Sequence, residues 1–367
     1  MNNKSANKNK FLINLIKNGF ESASVEDFIS AKPDWEYLLG LSVREGVFYP
    51  FYKNLLALDG KGRLIPEEFR DKYKQTYYLH LSKSADFSEQ VDCVLKRLDS
   101  LNIKVLLFKG PAIDSLIYDG YTRPRLDIDI VIRDEDMPEA EKALANVGYI
   151  SEREEKDCIH PTQLDSKVFT CNNNKLIPLH VHRHLINNTF LTADGSLGMD
   201  MEDVWQETED FKNYRNISVL KPELNIVYLS EHGLKHDFDQ LAFLYEIERL
   251  IKYYKVRCDW KKVVTLAKKF GMEHIVYYGL YFVREILSAE IPDEVMDAVK
   301  PKKYSVGEKA FVKNILNNKQ SRYSSYAVYL ASRAGLLKKI NFLFCTAFPP
   351  RFTLKDHLAR ISRSVLR

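Results

Sequence analysis

The chain has 367 residues, 45% of them apolar and 28% charged, with 54 Lys and Arg against 50 Asp and Glu. That length supports about two domains with a sizeable core, and the composition excludes disordered, collagen-like and small disulfide-stapled chains. The net charge of +4 is uneven, because Ser332 to Arg367 carry eight Lys or Arg against Asp356 alone, a net of +7 that leaves −3 on residues 1–331.

Met1 to Lys10 is rich in Asn and Lys and lacks the apolar stretch of a signal peptide, and no segment approaches the roughly 20 apolar residues of a membrane span. Five scattered cysteines (Cys93, Cys158, Cys171, Cys258, Cys345) have neither metal-ribbon nor redox spacing. A reducing, cytoplasmic setting is the expectation.

Residues 1–101 are expected as an N-terminal helical region. Apolar positions recur at three- and four-residue spacing in Phe11, Leu12, Leu15 and Ile16, and again in Tyr37, Leu38 and Leu41 behind a candidate N-cap at Asp34. Two further helices are predicted over Pro66 to Ser82 and Asp86 to Leu101. Residues 102–220 change in texture and predict an α/β core. It opens with a strand over Ile103 to Phe108, the turn Lys109-Gly110-Pro111 and a short helix over Ala112 to Tyr118. A strictly alternating strand follows over Leu126 to Ile132, then an amphipathic helix over Met137 to Val147 that stops at Gly148. Strands over Lys167 to Cys171 and Leu176 to His182 are joined by an Asn172-Asn173-Asn174 turn. From Lys221 the helical period returns and lasts to about Leu337, punctuated by Pro292 and Pro301; residues 221–367 form a C-terminal helical region with a basic tail.

In Leu126-Asp127-Ile128-Asp129-Ile130-Val131-Ile132 the period of two sets Leu126, Ile128, Ile130 and Ile132 on one face and both carboxylates on the other. Two acids side by side repel unless a cation lies between them, so Asp127 and Asp129 are candidate ligands for Mg²⁺. A helix that starts after a Lys-Gly turn offers free N–H groups to phosphate, with Lys109, Arg123 and Arg125 adding charge nearby. His180, His182 and His184 share one face of their strand, and His232 and His236 stand one helical turn apart, a spacing open to a transition metal. The same spacing also suits a buried, hydrogen-bonded connection of His182, His232 and His236 between the core and the C-terminal helices.

The run Leu107-Phe108-Lys109-Gly110, then Tyr118, then Arg123-Pro124-Arg125-Leu126-Asp127-Ile128-Asp129-Ile130-Val131-Ile132 resembles the signature of an uncharacterised nucleotidyltransferase family, NTP-transferase type 5, within the DNA polymerase β-like superfamily. Leu179-His180-Val181-His182, the Glu231-His232-Gly233 run with His236, and Glu246 extend the likeness. The resemblance implies an α+β fold: a polymerase β-like core with a small mixed sheet, flanked by helical regions on both sides. It also implies Mg²⁺- or Mn²⁺-dependent transfer of a nucleoside monophosphate from an NTP, with pyrophosphate leaving. Asp127 and Asp129 would hold metal, Lys109, Gly110 and Arg123 the nucleotide, and His180 or His182 the acceptor proton.

One departure stands out, since His180 occupies the place of the superfamily's third carboxylate, and Mg²⁺ prefers oxygen ligands. Help from Glu246 or Asp114, a working two-acid site, or a catalytically degenerate nucleotide-binding protein all follow from it. A metal-dependent hydrolase built on the His cluster is the rival from another class. The acceptor is left open among a sugar, a polysaccharide precursor, a peptide, a protein and an RNA. The basic tail, with Leu336-Leu337-Lys338-Lys339-Ile340, Phe342-Leu343-Phe344 and Phe348-Pro349-Pro350-Arg351-Phe352, suits contact with an anionic membrane surface or a polyanion, or packing of its Phe residues on the body.

Overall fold

The computed structural model describes residues 11–17, 33–58, 64–118, 125–151, 166–171, 176–186, 199–212, 214–255, 257–317, 324–333 and 335–347. Helix α1 covers 11–17, α2 Trp35–Arg44, α3 Phe48–Leu58 and α4 Glu67–Ser100. Asp34 caps α2 as expected, its Oδ1 accepting the Tyr37 N–H at 3.1 Å. Where two helices were expected, α4 runs 34 residues without interruption. The polar stretch Ser82-Lys83-Ser84-Ala85 holds no Gly or Pro to break it. Ser84 is itself buried, in line with Phe87, Val91, Val94, Leu95 and Leu98.

Among the described residues, all seven strands fall between Val105 and Leu220: β1 (Val105–Leu107), β2 (Ile128–Ile132), β3 (Ile150–Ser151), β4 (Ser166–Thr170), β5 (Leu179–His182), β6 (Thr208–Asp210) and β7 (Ile217–Leu220). They form one mixed sheet in the order β3-β4-β5-β2-β1-β7-β6. The two central strands, β1 and β2, are buried throughout, which explains why they are aliphatic at every position but Asp129. They pair antiparallel, with Leu107 opposite Ile130, while β2 pairs parallel to β5, with Asp129 opposite His180 and Val131 opposite His182. The expected β4–β5 antiparallel pair is present, with Phe169 opposite Leu179; its Asn172–Asn174 turn lies outside the described residues. Between the strands, α5 covers Gly110–Ile117, α6 Met137–Ala145 and α7 Met201–Gln206.

Two expectations are corrected here. Strand β2 begins at Ile128, so Leu126 does not join the apolar face of Ile128, Ile130 and Ile132 but is 89% exposed. Three strands beyond the four expected complete the sheet. Of these, β7 pairs parallel to β1, with Leu106 opposite Ser218, and so closes its second edge.

Eight helices follow among the described residues: α8 (Pro222–Lys235), α9 (Leu241–Tyr253), α10 (Trp260–Lys269), α11 (Glu273–Leu287), α12 (Asp293–Val299), α13 (Val306–Leu316), α14 (Tyr326–Ala331) and α15 (Leu336–Ala347). α8 is buried along nearly its whole length and packs against α9, α10 and α11, and α9 reaches α5 in the core. Gly233 of α8 lets the Phe238 ring lie where a Cβ would come within 2.3 Å of it. No described helix is long and apolar enough to cross a membrane. In the tail, Phe342 packs on the body as one reading expected, but its neighbours Leu343 and Phe344 are exposed, and Phe348 and Phe352 lie outside the described residues.

Candidate active site

The end of β1 delivers Phe108, which is buried, and then Lys109, whose backbone has φ 59° and ψ −143°. Lys109, rather than Gly110, therefore makes the strained turn into α5. Gly110 is required for another reason. A Cβ at this position would lie 2.0 Å from Nε and 2.4 Å from Cδ of Arg125, whose side chain crosses directly over it. Within the first turn, Pro111 has no N–H and those of Ala112 and Ile113 return to the Lys109 carbonyl. The amides offered to an anion thus shrink to that of Gly110.

Arg125 is a strut. Its Nη2 donates to Asp114 Oδ1 at 2.8 Å and to Glu246 Oε1 at 3.1 Å, tying the approach to β2 to α5 and α9. Burial opposes its charge, but Asp114 and Glu246 hold it firmly protonated. Neither acid therefore stands in for a missing carboxylate, since both serve Arg125. Arg123 lies outside the described residues.

Asp127 and Asp129 both reach the same cleft. Asp127 is partly exposed, whereas Asp129 is buried and held from two sides, by Lys109 Nζ at 3.0 Å from Oδ2 and His182 Nε2 at 2.7 Å from Oδ1. Burial raises the Asp129 pKa, but Lys109 and His182 outweigh it and keep the carboxyl well below the usual carboxylate range. An ionised carboxylate only accepts, so His182 donates from Nε2. Burial lowers the His182 pKa despite Asp129, leaving a neutral ring that orients the carboxylate. His180 Nδ1 stands 3.8 Å from Asp127 Oδ2 and 4.0 Å from Asp129 Oδ1. His184 is directed elsewhere, toward the backbone of Ile186 and Met199.

The cleft has a volume of about 620 Å³. One end holds Lys109, Asp127, Asp129, His180 and His182; the remainder is walled by Phe48, Tyr49 and His80 from the N-terminal helices and by His232, Lys235, His236 and Phe243 from α8 and α9. Ring contacts join the core to these helices. Phe108 meets His182 and Tyr228, each at 5.4 Å between centroids, Tyr228 stacks on His232 at 5.9 Å, and His236 stacks on Phe243 at 5.2 Å. The expected connection of His182, His232 and His236 between the core and the C-terminal helices thus includes this chain of ring contacts. His232 and His236 meet edge to face at 5.0 Å. Lys235, Tyr49 and His80 went unnoticed in the sequence, although Lys235 lies three residues after His232 and so on its helical face.

A family model described as an uncharacterised nucleotidyltransferase matches residues 31–288, a span that holds every residue of this cleft. The chain belongs to that family. No curated protein and no solved structure matches it. A nucleotidyltransferase of this fold implies a divalent cation, and the donor set can be tested against one. Asp129, His180 and His182 bring ligand atoms within 4.8 Å of one another, the one such group among the described residues. With His182 committed to Asp129, the donors facing the gap are Asp127, Asp129 and His180 Nδ1. Two carboxylates and one imidazole fit a hard or borderline ion, and the imidazole moves the preference from Mg²⁺ toward Mn²⁺.

Proposed function

We propose that the protein transfers a nucleoside monophosphate from an NTP to an acceptor, with pyrophosphate leaving. The observation that carries this reading is the convergence of Asp127, Asp129, His180 and Lys109 at one end of a cleft large enough for a nucleotide. A divalent cation, Mg²⁺ or Mn²⁺, held by Asp127 and Asp129 with His180 beside them would neutralise charge developing on the phosphoryl oxygens. Lys109 supplies positive charge for the phosphates, and the Gly110 N–H lies at the same turn. His182 fixes the Asp129 carboxylate in orientation, and His180 accepts the proton of the incoming nucleophile, a general-base role that an imidazole can fill. Catalysis then consists of positioning and charge stabilisation, not covalent chemistry.

Incubation of the purified protein with each α-labelled NTP, Mg²⁺ or Mn²⁺ and cell extract tests the proposal. Label is expected in a product, from which the acceptor class is read, and the doubly substituted Asp127→Asn, Asp129→Asn protein should give none. Tight nucleotide binding without transfer would instead identify a degenerate nucleotide-binding protein. The Asp129, His180 and His182 group is the observation that supports a hydrolase, and Zn²⁺ retained through purification together with hydrolysis would favour it.

A further inference from the structure

Helix α15 directs most of its apolar surface away from the protein. Leu336, Leu337, Ile340, Leu343 and Phe344 are 73, 83, 52, 53 and 61% exposed, and at 3.6 residues per turn they fall within an arc of about 120°. Phe342 lies outside that arc and is fully buried, with the Arg333 guanidinium 4.5 Å from its ring centroid. The helix is therefore fastened by Phe342 and presents five large apolar side chains to the outside. Single exposed Leu residues are ordinary, whereas five on one helical face mark a contact surface.

Charge identifies what the surface fits. Residues 332–347 hold Arg333, Lys338 and Lys339 and no Asp or Glu, and residues 332–367 carry a net +7. Lys339 borders the apolar arc beside Leu343, where a long side chain can lay its methylenes along an apolar phase and keep the ammonium in water, and Lys338 adds charge to the same helix. We propose that α15, with the basic sequence around it, seats the protein peripherally on an anionic lipid bilayer, its apolar face in the headgroup boundary. A nucleic acid would match the charge but give Leu337, Ile340 and Phe344 nothing to bury against. A second copy of the chain would bring two strongly positive segments together. Twelve residues are too few to span a bilayer, so the contact is on the surface. This inference is independent of the transfer reaction.

The test is co-sedimentation of the full chain with vesicles of phosphatidylcholine and of phosphatidylcholine mixed with phosphatidylglycerol, across a salt series. Binding is expected on the anionic vesicles, weakening as salt rises. The Leu337→Ser, Phe344→Ser variant should lose roughly tenfold or more in vesicle affinity while its circular dichroism shows the fold retained, Leu337 being 83% and Phe344 61% exposed. Lys338→Ala with Lys339→Ala should weaken binding to the anionic vesicles alone. The proposal is overturned by absence of vesicle binding, or by full vesicle affinity in the Leu337→Ser, Phe344→Ser variant. It is equally overturned if the chain binds RNA instead of vesicles, or if that variant only converts a dimer to a monomer.

Discussion

His180 faces Asp129 across the parallel pairing of β2 and β5, with its Nδ1 4.0 Å from Asp129 Oδ1 and 3.8 Å from Asp127 Oδ2. These distances are too long for hydrogen bonds, and they leave three donors around one gap. A carboxylate at this position would add a negative charge and an oxygen ligand. His180→Asp is therefore expected to tighten Mg²⁺ binding by about tenfold or more, read by calorimetric titration. If His180 is also the working base, the same change lowers turnover and moves the acidic limb of its pH profile down toward the carboxylate range. Unchanged Mg²⁺ affinity with an unchanged profile would remove position 180 from the site.

Gly110 is held small by Arg125. A methyl group there would push the guanidinium from Asp114 and Glu246, and breaking a buried pair of this kind costs about 3–5 kcal/mol. Gly110→Ala is expected to lower stability in urea unfolding by an amount approaching that figure. The double variant Gly110→Ala, Arg125→Ala should be little worse than Arg125→Ala alone. Additive losses would show that Gly110 serves some other contact.

Lys109 combines an unfavourable backbone with a needed side chain. Its φ of 59° and ψ of −143° fall where residues other than Gly pay roughly 1–3 kcal/mol. Lys109→Ala loses the ion pair with Asp129 and keeps the strain; Lys109→Gly loses the ion pair and relieves it. The Gly variant is expected to be about 1 kcal/mol or more the stabler of the two, with nucleotide affinity equally weakened in both. Equal stability in thermal melts would mean that the turn stores no strain.

Where the code is local, the sequence was readable. Alternation in Ile128 to Ile132 marks β2 and sets both acids toward one cleft, and Asp34 followed by a helical apolar period marks the start of α2. The strut through Arg125 was invisible because its partners are 11 and 121 residues away, so the same side chain read as a phosphate contact. Strand β7 has four residues and no flanking turn signal strong enough to separate it from the helix that begins at Pro222. Ring spacing likewise hid the state of His232 and His236. One helical turn suits a chelate or a stack equally well, and only the position of Phe243 on the neighbouring helix decides for the stack.

Burial of these rings makes stability pH-dependent. Burial, and then the charges of Lys109, His236 and Lys235, hold His232 well below its ordinary pKa, with Asp129 opposing weakly. The unfolded chain takes up this proton near pH 6.5, whereas the folded chain does so only at much lower pH. Between those limits the unfolded state binds more protons, so stability is fully present above about pH 6.5 and falls as the pH drops below it, by no more than about 1.4 kcal/mol per pH unit from this residue. His236, lowered to about 4, and His182 and His80, each lowered first by burial, act in the same direction. His232→Phe keeps a ring against Tyr228 and removes the titration. The fall in melting temperature between about pH 7.5 and about pH 5.5 is expected to be smaller in this variant than in the parent, with His236, His182 and His80 sustaining what is left. Identical falls in the two proteins would show that His232 takes up its proton as readily in the folded chain as in the unfolded one.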